Sequence, residues 1–144
     1  MPHVTIQYTA NLDPEARIGA LCKTLAEIIV AQRDEIAFMQ RWLREHNQDV
    51  PDADTSHLTM AGMDMKLMPG MLTPAQLKLL DEARGKEFDR SFMEFMIQHH
   101  QGAVTMAKAE QASGSSADAK ALASSIITSQ SAEIEKMRKL LASM

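Results

Sequence analysis

The sequence predicts an all-α protein, an antiparallel bundle of three long helices and one short one. Three observations carry that prediction. Apolar residues recur at spacings of three and four through most of the chain, helix-capping signals stand at its breaks, and nothing after residue 10 alternates with period two for long enough to form a strand. A chain of 144 residues suits one domain and needs no second.

The first long helix opens at Asp13, an N-cap, with Pro14 at the first helical position, and is expected to run to about Asn47. Leu21, Leu25, Ile28, Ile29, Gln32, Ile36, Met39 and Leu43 draw its stripe, and Trp42 closes the run. His46, near the end, reads as a charge favourable to the helix C-terminus. The short helix starts at Thr73-Pro74-x-Gln76, a capping box with proline in the first turn, and extends to about Ala83 before Gly85 stops it. The third helix spans about Lys86 to Ala112, with Gly114 expected as a left-handed C-terminal residue. Ser115 or Ser116 caps the last helix, about Ala117 to Ser143. A Ser/Gly turn this short makes the last two helices antiparallel neighbours, an αα-hairpin.

Ahead of the bundle, the stretch from Met1 to Leu12 alternates like a β-strand. Residues 1–20 are therefore expected as an atypical N-terminal segment with a short strand, and residues 21–144 as the helical domain.

Composition excludes several function classes. A net charge of −4 with 4% aromatics gives neither the basic face nor the stacking rings of a nucleic-acid binder. The longest apolar stretch is only a few residues, too short to cross a bilayer, and Met1-Pro2-His3-Val4-Thr5-Ile6 lacks the basic and apolar regions of a signal peptide. As written, the chain is expected to stay in the cytoplasm and to have no membrane partner. The single cysteine, Cys22, forms no internal disulfide. No glycine-rich phosphate loop, nucleophile elbow or zinc CxxC pattern is present, so no enzyme is expected.

The chemistry concentrates between Phe92 and Met106. At helical spacing Phe88, Phe92, Phe95, Met96, His99, Ala103, Met106 and Glu110 share one stripe, and Asp89, Met93, Met96, His100 and Val104 the next. His99 and His100 thus both border the buried face. Neutral imidazole is a good transition-metal ligand, and thioether sulfur is a soft ligand that favours Cu(I). His99, His100, Met93, Met96 and Met106 are accordingly the first candidate copper ligands. Consecutive helical residues diverge by about 100°, so each imidazole needs partners from elsewhere. The competing reading makes the histidines hydrogen-bonded core residues and the methionines flexible filler.

A second cluster lies between residues 50 and 72, where helical periodicity stops. Five of the 12 methionines, Met60, Met63, Met65, Met68 and Met71, follow His57 there. Thioethers at two- and three-residue spacing on a loop this long can fold around Cu(I) or drape over the bundle as adaptable apolar cover.

An internal repeat ties the first helix to the last. Ile29-x-x-Gln32-x-x-Glu35-Ile36-x-x-Met39 recurs as Ile127-x-x-Gln130-x-x-Glu133-Ile134-x-x-Met137. Gln, Glu and Met fall on one face in each copy. One reading has Gln32, Glu35, Gln130 and Glu133, with Asp89, orienting the imidazoles, and Met39 and Met137 supplying sulfur. The other places the acids on the rim of an amphipathic face.

The patterns Phe88-Asp89-x-x-Phe92-x-x-x-Met96-Ile97-x-His99-His100-x-Gly102-Ala103-x-x-Met106 and Ile127-x-x-Gln130-x-x-Glu133-Ile134-x-x-Met137 resemble the domain of unknown function 305 family over about residues 21–144. The resemblance implies a ferritin-like four-helix bundle, export or attachment to the cell envelope, and copper binding or tolerance in some members. In two-copy members each Gln-Glu-Met helix follows its own His-His helix. No such doublet precedes Leu21, so a second chain supplying the helix would make a homodimer. The first residues instead resemble 5-carboxymethyl-2-hydroxymuconate isomerase, which would make Pro2 a catalytic base. The remainder of that fold is missing from the sequence, so the segment reads as a fusion or an alternative start.

The leading expectation is a metal-binding bundle that buffers or carries copper through His and Met ligands. The alternatives are a structural or partner-binding bundle without metal and, further off, a di-iron enzyme, which needs a Glu-x-x-His motif that this chain lacks.

Overall fold

The computed structural model describes residues 20–50 and 69–144. The expected N-terminal strand with Pro2, and the loop residues His57, Met60, Met63, Met65 and Met68, lie outside the described residues. Four helices make up the described chain: α1 (Ala20–Glu45), α2 (Pro74–Glu82), α3 (Gly85–Ser113) and α4 (Ala117–Ala142). It is an all-α bundle, with no strand among the described residues. None of its helices is long and apolar enough to cross a membrane.

The caps show why the helices begin and end where they do. At the end of α1, Asn47 adopts φ 54, its N–H bonds Arg44 O at 3.1 Å, and Gln48 N–H bonds Leu43 O at 2.9 Å. This is a Schellman closure with asparagine in the left-handed position, and it stops the helix at Glu45, two residues before the expected Asn47. His46 Nδ1 donates to Trp42 O at 2.8 Å, and its ring stacks on Trp42 with centroids 4.0 Å apart. In α2 the capping box forms as the sequence predicts: Gln76 N–H bonds Thr73 Oγ1 at 3.2 Å and Thr73 N–H bonds Gln76 Oε1 at 2.8 Å.

Two glycines behave differently from expectation. Gly85 has φ +59 but opens α3 instead of closing α2, whose C-cap is the extended Ala83. Gly114 is extended (φ −64, ψ 150) and not left-handed, because Ser116 already caps the next helix. Ser116, also extended (φ −85, ψ 125), accepts the Ala119 N–H on its Oγ at 3.2 Å, so the chain passes from one helix to the next without a left-handed residue.

Helices α3 and α4 form the antiparallel hairpin, α1 packs on α4, and α2 packs on α3. Ion pairing of Lys136 with Glu27 and the bond from Trp42 Nε1 to Ser116 Oγ at 3.3 Å set α1 antiparallel to α4. The apolar core sits at one end of the bundle. There Leu80, Ala83, Phe88, Phe92, Met93, Met96 and Met137 are buried together, flanked by Leu72, Phe95, Ile97, Leu140 and Leu141. Burying a Phe, Leu or Met side chain stabilises the fold by roughly 1.5–3 kcal/mol each, so this end anchors the hairpin. The other end, where the C-terminal half of α1 meets α3 and the start of α4, leaves a cleft of about 640 Å³.

Candidate metal centre

The His-His step of α3 falls where the packed core gives way to the cleft. His100 is fully buried. Its Nε2 lies 2.7 Å from Glu133 Oε2, and because a carboxylate only accepts, Nε2 carries a hydrogen, which in the neutral imidazole leaves Nδ1 with the lone pair. That Nδ1 is buried without a hydrogen-bond partner. A carboxylate holding one imidazole nitrogen so that the other is free for a metal is a recurrent arrangement of metal sites.

His99 turns the other way, its ring centroid 6.2 Å from that of His100 and inclined by 68°, as the step of about 100° per residue requires. It lines the cleft. Its Nδ1 is also buried without a partner. Burial, and then the neighbouring His100, lowers its pKa to about 4, so the ring is neutral near pH 7 and one of its two nitrogens carries a lone pair.

The two copies of the repeat meet here across α1 and α4. Gln32 and Gln130 are buried, and both line the cleft with Glu35. The Glu35 carboxyl is raised above its usual range, first by burial and then by the charge of Glu133, with the nearby Gln130 amide offsetting part of the rise. Gln32 Oε1 and Gln130 Oε1 are buried without partners. The Gln-Glu faces that sequence pairing suggested therefore do converge beside the imidazoles.

The methionines divide. Met93, Met96 and Met137 belong to the apolar core, whereas Met39 and Met106 line the cleft and are 41% and 43% exposed. Met96 is one turn from His100, and Met93 is nearly two. Asp89 is buried but about 16 Å along the axis from His100 at 1.5 Å per residue, beyond reach of the imidazoles it was expected to orient. Among the described residues no three His, Cys, Asp or Glu side chains are grouped to hold a metal ion. A site here must therefore draw on amide oxygen or thioether sulfur as well.

One contact was not read from sequence. Pro69 and Gly70, at the end of the methionine-rich stretch, cross α3 at Gly102, where a Cβ would meet Pro69 O at 2.0 Å. Gly70 has φ +80, and a Cβ there would lie 2.8 Å from Gln98 O and 2.9 Å from His99 O. Gln98 fastens the crossing: its Nε2 donates to Met71 O at 3.3 Å, and its Oε1 accepts from Gln76 Nε2 at 2.9 Å. Met71, partly buried, is thus tied beside the His-His step. A glycine inside a helical run was the available signal, since it costs about 1 kcal/mol relative to alanine and often marks a close approach.

The pattern of the family described as Domain of unknown function (DUF305) matches residues 8–141. The chain belongs to the DUF305 family. The match begins inside the segment that sequence reading set apart from the family. Among curated proteins none matches. Of solved structures, a putative secreted DUF305 protein from Streptomyces coelicolor is 29% identical with a TM-score of 0.78, covering 99% of this chain and 83% of the other. CopM in its Cu(II)-bound form is 29% identical with a TM-score of 0.71, covering 99% of this chain and 88% of CopM. CopM in its Cu(I)-bound form gives 28% identity and a TM-score of 0.68 over the same shares. A DUF305 fragment from Deinococcus radiodurans, 22% identical with a TM-score of 0.72 and covering 100% of this chain and 91% of the other, shares the fold.

Proposed function

We propose that this DUF305 protein binds copper at the junction of α1, α3 and α4 and holds the ion as cargo, for buffering or transport. The observation that carries the reading is the pair of buried, unpartnered imidazole nitrogens, His99 Nδ1 and His100 Nδ1. A buried acceptor without a partner costs about 1–3 kcal/mol, and a bound cation removes that cost. The donor set fits copper. Imidazole nitrogen binds either oxidation state, and the thioethers of Met39 and Met106 are soft donors that hard cations avoid. The copper-bound forms of CopM, with the same fold, support the same reading.

Glu133 has a positioning role in this scheme, keeping the hydrogen of His100 on Nε2. Met93, Met96 and Met137 serve packing. The homodimer implied by a single His-His helix is part of the same proposal and is read by light scattering with and without copper.

The test is elemental analysis of untagged protein purified without chelators, followed by addition of copper under reducing and oxidising conditions. Copper retained in stoichiometric amount supports the function. Protein that is metal-free and refuses added copper in both states overturns it and favours a structural bundle.

A further inference from the structure

Among the described residues, the buried side-chain nitrogen and oxygen atoms without a hydrogen-bond partner are Gln32 Oε1, His99 Nδ1, His100 Nδ1 and Gln130 Oε1. All come from two motifs; the amide oxygens present lone pairs, and so does His100 Nδ1 in the neutral ring whose Nε2 hydrogen is given to Glu133. They converge at one level of the bundle. Gln32, His99 and Gln130 line the same cleft, and His100, next to His99 on α3, is held by Glu133, about one turn from Gln130 on α4. Gln32 and Gln130 are 7% and 6% exposed. An apolar ligand would leave these atoms unsatisfied, whereas a cation would be met by the amide oxygens.

The sulfurs lie elsewhere in the same cleft. Met39 and Met106 stand on its wall, one on α1 and one on α3, each about two-fifths exposed. Thioethers are neutral and soft and suit a monovalent soft ion, whereas nitrogen and oxygen donors in tetragonal array suit Cu(II).

We propose that the cleft holds two copper sites sorted by oxidation state: a deep nitrogen and oxygen site for Cu(II), in which the Gln32 and Gln130 amide oxygens are ligands beside the imidazoles, and an outer thioether site for Cu(I) at Met39 and Met106. The proposal rests on the copper reading and adds which atoms take which ion. The glutamines thereby change from orienting groups to ligands.

The test uses the full chain in four forms: wild type, Gln32→Leu, Gln32→Leu with Gln130→Leu, and Met39→Leu with Met106→Leu. Gln32→Leu removes one buried amide instead of two and serves if the double glutamine variant fails to fold by circular dichroism. Cu(II) binding is read by calorimetry and electron paramagnetic resonance, and Cu(I) binding by competition with a colorimetric chelator. The glutamine variants are expected to weaken Cu(II) by roughly tenfold or more and to alter its resonance spectrum, with Cu(I) affinity unchanged. The methionine variant is expected to do the reverse. Both variant classes shifting both ions together, or glutamine variants with wild-type Cu(II) binding and spectrum, would overturn the proposal while leaving copper binding intact. Wild type that binds neither ion would overturn the copper reading itself.

Discussion

The two ends of α3 use one residue type for opposite purposes. At the N-terminal end Met93 and Met96 are buried with Phe88, Phe92 and Leu80 under α2 and the end of α4. At the C-terminal end Met106 is 43% exposed, and it shares an open cleft with Met39, 41% exposed. The helix is continuous across both, so the difference is made by what packs against it. Short α2 closes the first end. At the second, α1 packs on α4 and leaves space beside α3. A methionine is therefore filler or candidate donor according to the neighbouring element, and its position in the motif does not decide which.

Truncation breaks or sharpens that contrast most strongly. Met93→Ala is expected to cost about 2–5 kcal/mol in urea unfolding, with copper affinity kept in the fraction that folds. Met106→Ala is expected to change stability by no more than about 0.5 kcal/mol while weakening Cu(I). Equal stability losses at the two positions would erase the distinction. The next largest effect is pH dependence. His99 titrates at about 4 in the folded protein against an ordinary 6.5, so between those values the unfolded chain takes a proton that the folded chain refuses. The stability of the metal-free protein is then full above pH 6.5 and falls as the pH drops toward 4, by up to about 3 kcal/mol. His99→Gln should flatten that part of the curve, and an unchanged slope would show that His99 is not held neutral by burial. Gly102→Ala comes last. Forcing a Cβ against Pro69 O costs about 1–3 kcal/mol, offset by about 1 kcal/mol of helix propensity, for a net loss near 1 kcal/mol in thermal unfolding. A gain would mean that the Pro69–Gly70 crossing yields freely.

The helices were legible because their signals are local. Thr73-Pro74-x-Gln76 specifies its own capping box, and Ser116 caps α4 as its position predicts. Gly114 misled because a glycine after a helix suits several turn geometries, and the cap of the next helix chose among them. The repeat showed identical Gln-Glu faces on α1 and α4, but that the two helices pack antiparallel and so set those faces opposite one another near their middles came only from the structure. The division of the methionines was not readable. Periodicity puts Met96 and Met106 on one stripe, and only the placement of α2 at one end and a cleft at the other separates them. Nor could the sequence show that Gly102 answers Pro69 and Gly70, more than thirty residues away along the chain.

The account depends on the paired imidazole lone pairs being the seat of the ion. Titrating metal-free wild type and the His99→Ala, His100→Ala variant with Cu(I) and with Cu(II), each against a competing chelator, examines that dependence. The variant is expected to lose the Cu(II) ion and to bind copper overall at least about tenfold more weakly, with its helix content preserved. Stoichiometry and affinity equal to wild type for both ions would contradict it.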